Sequence, residues 1–276
     1  NPFLFTPIKR PLNDTSRKGS PFVKKKLKNS EATGSFLLDD FINEKPELLS
    51  VIDPFDEKNK SEILTKLQPK IDKLEGFFKY NSNKGTFKNL KLLASYNSNA
   101  SLQQRKKAHK FISFEKTDEL NSIIKELGLG GFGMVFLAES SKDGGLKALK
   151  VQSPANLWEF YIIKEIKERL KNKVANMLSF SMRLVLTRIM ECCIIDAKKL
   201  HYYRDESYLM LAYENQGTIV DMLNIVKEDA SSKDCGIPEL LVIHLSIDLI
   251  NIIQALHDIK ILHGDLKADN CMIKFT

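Results

Sequence analysis

The chain has 276 residues, 43% of them hydrophobic, enough for a sizeable core in one or two domains. Its net charge of +7 is a poor sign of nucleic-acid binding, because Lys9, Arg10, Arg17, Lys18, Lys24, Lys25, Lys26 and Lys28 against Asp14 supply all of it within the first 30 residues; no direct nucleic-acid partner is expected. Cys192, Cys193, Cys235 and Cys271 lack metal-binding spacing and read as reduced thiols of a cytosolic or nuclear protein, while no apolar run approaches the about 18 residues of a membrane span, so no membrane partner is expected.

Residues 1–47 are polar, Lys-rich and broken by Pro, with no helical or strand period, and read as a disordered basic tail. Arg17-Lys18 with Lys24-Lys25-Lys26 fits either a nuclear-localisation patch or a solvated tail, and Thr6-Pro7 and Ser20-Pro21 match proline-directed phosphorylation pairs. Residues 48–110 form an extension and linker. In the extension Ile63, Leu67, Ile71 and Leu74 put an apolar stripe on one helix face, too short to bury itself, so it is expected to pack on the domain that follows.

Residues 111–276 carry the chemistry. Gly128-x-Gly130-x-x-Gly133-x-Val135 fits a dinucleotide-binding turn only if a helix follows directly, but Met134-Val135-Phe136-Leu137 continues as a strand. The expected hairpin closes backbone amides over nucleotide phosphates and packs Val135 on the base. Leu146 to Val151 reads as the next strand, with Lys150 seventeen residues after Gly133 and suited to a phosphate contact. Asn156 to Leu170 reads as a helix whose Glu159, Ile163, Ile166 and Leu170 share a face, so Glu159 sits inward and needs a partner, for which Lys150 is the natural choice. A capping box between Asn156 and Glu159 is the alternative, and Glu165 and Glu168 are rivals for the pairing. Trp158 is expected to face inward too.

Arg183 to Leu186 and Tyr208 to Tyr213 are expected to complete a five-stranded small lobe, with a connector at Glu214-Asn215-Gln216-Gly217. Thr218 to Val226 reads as a short helix and Asp229 to Gly236 as a loop. Pro238 then opens a long helix with Leu241, Leu245, Leu249, Ile252 and Leu256 on one face. Last comes His263-Gly264-Asp265-Leu266-Lys267-Ala268-Asp269-Asn270. Asp265 can take the proton of an attacking hydroxyl, Lys267 can neutralise a moving phosphoryl group, and Asn270 can offer its amide oxygen to magnesium.

Glycine hairpin, strand lysine, helix glutamate, connector, long helix and Asp-x-Lys-x-x-Asn, in this order, resemble the eukaryotic protein kinases. The run from Lys150 to Tyr161, with Ile52-Asp53-Pro54-Phe55-Asp56 and His263-Gly264-Asp265, narrows the resemblance to the Bub family of mitotic spindle-checkpoint Ser/Thr kinases. The resemblance implies an α+β, two-lobe kinase-like fold with a complete small lobe and the first part of a large lobe. It also implies ATP and magnesium as cofactors, with nucleotide binding at Gly128, Gly130, Gly133, Val135, Ala148 and Lys150 and a metal contact at Asn270. Further implications are a histone-tail substrate, kinetochore and checkpoint partners, a nuclear, kinetochore location, and an extension that wraps and activates the kinase.

Two departures bear on these expectations. Gly264 stands where most protein kinases have an Arg that reads a phosphate on the activation loop, so activity is expected not to depend on that phosphate; His-Gly-Asp also resembles aminoglycoside phosphotransferases, a small-molecule alternative. No Asp-Phe-Gly follows Phe275, so the chain is expected to be truncated, unstable and inactive as written. A non-catalytic checkpoint scaffold is the other alternative.

Overall fold

A computed structural model describes residues 56–90, 111–130, 133–229 and 237–274, with the backbone of 3–5. The chain divides into two compact units, residues 11–68 and residues 1–10 with 69–276. In the first, Asp56 accepts from the backbone N–H of Lys58 (3.0 Å) and starts helix α1, Glu57–Ile71, where the apolar stripe predicts one. The last turn of α1 belongs to the second unit, in which Ile71 is fully buried. Leu74, the final residue of the predicted stripe, lies beyond the helix end, its N–H donating to Ile71 O (3.0 Å).

The second unit is built on a seven-stranded sheet of β2 (Phe77–Lys79), β3 (Phe111–Phe114), β4 (Thr117–Gly130), β5 (Gly133–Ser140), β6 (Leu146–Gln152), β7 (Ala197–Tyr202) and β8 (Ser207–Ala212). Their order is β2-β7-β8-β6-β5-β4-β3, antiparallel throughout except for the β2–β7 pair. β4 turns Glu119, Asn121 and Ile123 inward with the period of two that a half-buried strand requires. The inner strands β6 and β8 are buried almost throughout, as strands covered on both faces must be. The sheet core gathers Met134, Phe136, Leu149, Val151, Tyr203, Tyr208 and Met210.

The structure corrects the expected five-stranded lobe at three places. Arg183 to Leu186 is not a strand but part of helix α3 (Phe180–Arg188), which follows α2 (Trp158–Ala175). Ser179 caps α3 by accepting from the Met182 N–H, and its Met, Arg and Leu residues are good helix formers. The strand's place is taken by β7, whose Lys198 and Lys199 mask its pattern; Lys199 nevertheless reaches the buried Glu119. The sheet also gains β2 and β3 at its edges. Trp158 is 37% exposed, not inward, whereas Glu159, Ile163 and Leu170 on the same helix are buried as expected.

Beyond the sheet come α4 (Ile219–Asp229), α5 (Glu239–Asp258), a 3₁₀ turn at Ala268–Asn270 and β9 (Cys271–Ile273). Leu245, Ile252 and Leu256 of α5 pack with Leu170, Leu186, Ile189 and Cys271 in a second core cluster. The expectation that no apolar stretch is long enough for a membrane needs correction: α5, 20 residues long with an 18-residue window of mean hydropathy 1.7, meets that test by length and composition. Its opposite side exposes Leu240, Ile243, Ile247 and Ile250. Three residues of the expected tail, Phe3–Phe5, form strand β1, antiparallel to β9. The remainder of 1–55, the 97–110 linker, Gly131, Phe132 and the 230–236 loop with Cys235 lie outside the described residues.

Candidate active site

Two side-chain clusters form the candidate site. On the sheet, Gly128 and Gly130 end β4 and Gly133 opens β5, so the glycine motif does join two strands. Gly133 runs so close to β6 that a Cβ there would sit 2.6 Å from Val151 O; only glycine lets the hairpin lie this flat on the lysine strand. Val135 lies opposite Lys150 in the β5–β6 register, and Ala148 pairs with Leu137 on one side and Leu211 on the other. Lys150 Nζ donates to both carboxylate oxygens of Glu159, at 2.8 and 2.6 Å, with side-chain exposures of 8% and 6%. The rival capping box does not form with Glu159: Asn156 Oδ1 accepts from the Trp158 N–H (2.9 Å) while the Glu159 carboxylate is turned to Lys150. Burying two charges is tolerable here because each satisfies the other.

The second cluster lies between α5 and β9. Asn270, fully buried, donates from Nδ2 to the backbone O of Asp265 (2.8 Å) and to its Oδ2 (3.0 Å), closing the loop from Asp265 to Asn270. Lys267 Nζ lies 3.2 and 3.3 Å from the two Asp265 oxygens. Gly264 has φ +73°, a left-handed conformation in which a branched or long side chain is strained, so this position favours glycine over the usual Arg on backbone grounds. His263 Nδ1 accepts from the Asp265 N–H (3.4 Å), and burial, opposed by Asp265, holds the imidazole below its ordinary pKa.

The connector links the clusters. β8 lies beside the lysine strand and leads into residues 213–217, which are bonded to the segment following Asn270. Ile273 N–H donates to Gly217 O (2.9 Å), Thr218 bridges to Met272, and Lys274 Nζ pairs with Glu214 Oε1 (3.0 Å). Sequence reasoning missed this tie and the role of Lys274, for which only the proximity of Lys274 to the octet could have been a signal. Among the described residues no group of three or more His, Cys, Asp or Glu is arranged to hold a metal. Asn270 still fits a magnesium contact chemically, because Nδ2 is engaged with Asp265 and Oδ1 is a hard oxygen donor.

With this geometry established, the comparisons with known proteins agree with one another. The sequence family described as protein tyrosine and serine/threonine kinase matches residues 121–276. Over 232 residues the chain is 32% identical to the spindle assembly checkpoint serine/threonine-protein kinase BUB1 of Saccharomyces cerevisiae, covering 84% of this chain and 20% of that protein. The chain belongs to the protein kinase family, in its Bub branch. The Schizosaccharomyces pombe kinase bub1 is 34% identical over 55% of this chain and 15% of its own length. The mitotic checkpoint kinase BUB1 of Arabidopsis thaliana is 26% identical over 81% of this chain and 37% of its own. This Bub-type chain therefore spans only a fraction of each of these relatives. Among solved structures, the crystal structure of the BubR1 kinase domain shares the fold at TM-score 0.58 and 23% identity, over 79% of this chain and 54% of that one.

Proposed function

We propose that the protein carrying this chain is a Ser/Thr protein kinase of the mitotic spindle checkpoint that transfers the γ-phosphoryl group of ATP to a protein hydroxyl. The observation that carries the reading is the buried, two-oxygen Lys150–Glu159 pair on the strand beside the glycine hairpin, because it holds an ammonium next to the turn whose backbone amides are suited to phosphates. Lys150, oriented by Glu159, contacts nucleotide phosphates; the hairpin of Gly128, Gly130 and Gly133 covers them, and Val135 and Ala148 flank the base. Asp265, held by Asn270, accepts the proton of the attacking hydroxyl, Lys267 neutralises charge on the moving group, and Asn270 contacts magnesium. When bound, ATP supplies the phosphoryl group and magnesium offsets its negative charge.

Checkpoint and kinetochore partners, a nuclear location and a histone-tail substrate follow from the Bub resemblance. The extension of residues 48–110 supports an activating role: Phe77 of β2, the edge strand it adds to the sheet, stacks on Phe160 at 6.3 Å, one residue from Glu159. Lys70 pairs with Glu165 farther along the same helix (2.6 Å). Intact positions at Lys150, Glu159, Asp265 and Asn270 favour catalysis over a scaffold. The test is phosphate incorporation by the full-length protein into a histone-tail peptide and, separately, an aminoglycoside. Incorporation into the peptide alone is expected; incorporation into the aminoglycoside alone would replace this reading with a small-molecule phosphotransferase.

A further inference from the structure

We infer that Glu165 is a positioning residue for phosphoryl transfer, joining the segment ahead of the sheet and the end of α5 to the helix that carries Glu159. The inference rests on the kinase reading and assigns a second coupling between the two clusters, besides the connector, to one carboxylate and one guanidinium.

Glu159 lies in the first turn of α2, and Glu165 lies six residues on, about 9 Å along the axis at the helical rise. Glu165 is 7% exposed, yet its two oxygens are divided between different parts of the chain. Oε2 accepts from Lys70 Nζ at 2.6 Å, and Oε1 accepts from Arg169 Nε at 2.7 Å. Arg169 then donates from Nη1 to the backbone O of Ile259 at 2.9 Å. Ile259 is the C-cap of α5, buried, and six residues ahead of Asp265. A cation suits that position, because the last carbonyls of a helix lack intrahelical partners and carry its negative end.

The chemistry calls for these residue types. A buried carboxylate is costly unless fully paired, and here the two cations outweigh desolvation and keep Glu165 ionised, below its ordinary pKa. Arg serves the carboxylate with Nε and the Ile259 carbonyl with Nη1 at fixed angles, whereas the three donors of Lys radiate from one nitrogen that would have to lie within reach of both acceptors. Lys173 and Asp258 form a second tie between the same helices at 2.6 Å, but with side-chain exposures of 28% and 44% it is screened and weak beside the buried one. The result is an unbroken series of contacts from Lys70 through Glu165 and Arg169 to the end of α5, from which the chain runs into His263, Gly264 and Asp265. Moving α2 therefore moves Glu159 and the approach to Asp265 together.

The test uses full-length protein with Glu165→Gln, Arg169→Lys and, as a control on the same helix, Lys167→Ala, which removes a 2.7 Å pair with Asp196 just ahead of β7 without touching Ile259. Backbone hydrogen exchange is measured over 259–265 and over β8, with kcat and substrate KM in parallel. Glu165→Gln and Arg169→Lys are each expected to speed exchange over 259–265, leave β8 protected, and lower kcat about 10-fold with KM within about 2-fold, since small displacements of reacting groups cost this much. Lys167→Ala is expected to change none of these. Unchanged exchange over 259–265 in Glu165→Gln overturns the inference whatever the activity, and so does faster exchange with wild-type kcat. Loss of β8 protection in both variants would show a general folding role and overturn it as well. If the unsubstituted protein transfers no phosphate, the kinase reading fails and positioning for it falls with it, while the exchange result separately decides whether the tie exists.

Discussion

Removing the charge of Glu159 separates what the buried ion pair does for stability from what it does for chemistry. Both oxygens of Glu159 are taken by Lys150 Nζ at 2.8 and 2.6 Å, and neither side chain is more than 8% exposed. Glu159→Gln leaves a buried ammonium without its counter-charge, a change that costs about 3–5 kcal/mol. At about 2–4 °C per kcal/mol for a domain of this size, the midpoint of thermal unfolding should fall by roughly 6–20 °C. Replacing both partners, Lys150→Met with Glu159→Leu, removes the charges together and should restore most of the lost stability, because well-packed apolar substitutes are about neutral or better. The same double variant should have no phosphoryl transfer, since nothing remains to hold the phosphates. Differential scanning calorimetry and a phosphate-incorporation assay on the same samples make the comparison. A Glu159→Gln midpoint within about 1 °C of the unsubstituted protein would refute the reasoning, since a loss that small would mean the pair is effectively solvated.

Further outcomes follow from the other charged and strained positions. His201 is fully buried, stacked on Phe114 at 3.7 Å, and held down to about 3 by burial and then by Lys199 and Lys84 against the opposing Glu119. Below pH 6.5 the unfolded chain therefore takes up a proton that the folded chain refuses. Stability should fall by roughly 2 kcal/mol between pH 7 and 5 through this group, and His201→Phe should lack that part of the slope in urea titrations. Glu119 behaves oppositely: although burial raises it, Lys147, Lys199 and Ser140 bring it down to about 2. Its contribution is complete above pH 4.5 and is lost as pH falls toward 2, so Glu119→Gln should flatten the acid limb in that window and leave the His201 window unchanged. Gly264→Ala, at φ +73°, should cost about 1–2 kcal/mol and lower kcat by displacing Asp265, as read by thermal melts and initial rates.

The sequence was most informative where chemistry demands a residue type at a fixed spacing. Gly133, Lys150 and Asp265 could be read from local motifs, and Glu159 from its place on the inward face of an amphipathic helix; the structure pairs Glu159 with Lys150 and Asn270 with Asp265. What could not be read depends on partners distant in sequence. β2 pairs in parallel with β7 across some 120 residues, as Phe77 opposite Leu200, and no local period encodes such a pairing. Lys199 breaks the apolar pattern of β7 because it serves Glu119, while Leu184 and Val185, which suggested a strand, lie exposed on a helix. Glu165 was legible only as a rival partner for Lys150; of its actual partners, Lys70 is distant in sequence and Arg169 is shared with Ile259 O.

The central claim is phosphoryl transfer through Asp265 with Lys150 holding the nucleotide, and the most direct measurement is the rate of γ-phosphate incorporation by the full-length protein and by its Asp265→Asn form, with ATP affinity measured in parallel. Asp265→Asn is expected to lower the rate by at least about 100-fold while ATP affinity stays within about 3-fold, because it removes the proton acceptor and leaves the Lys150–Glu159 pair intact. An Asp265→Asn rate close to that of the unsubstituted protein would contradict the account.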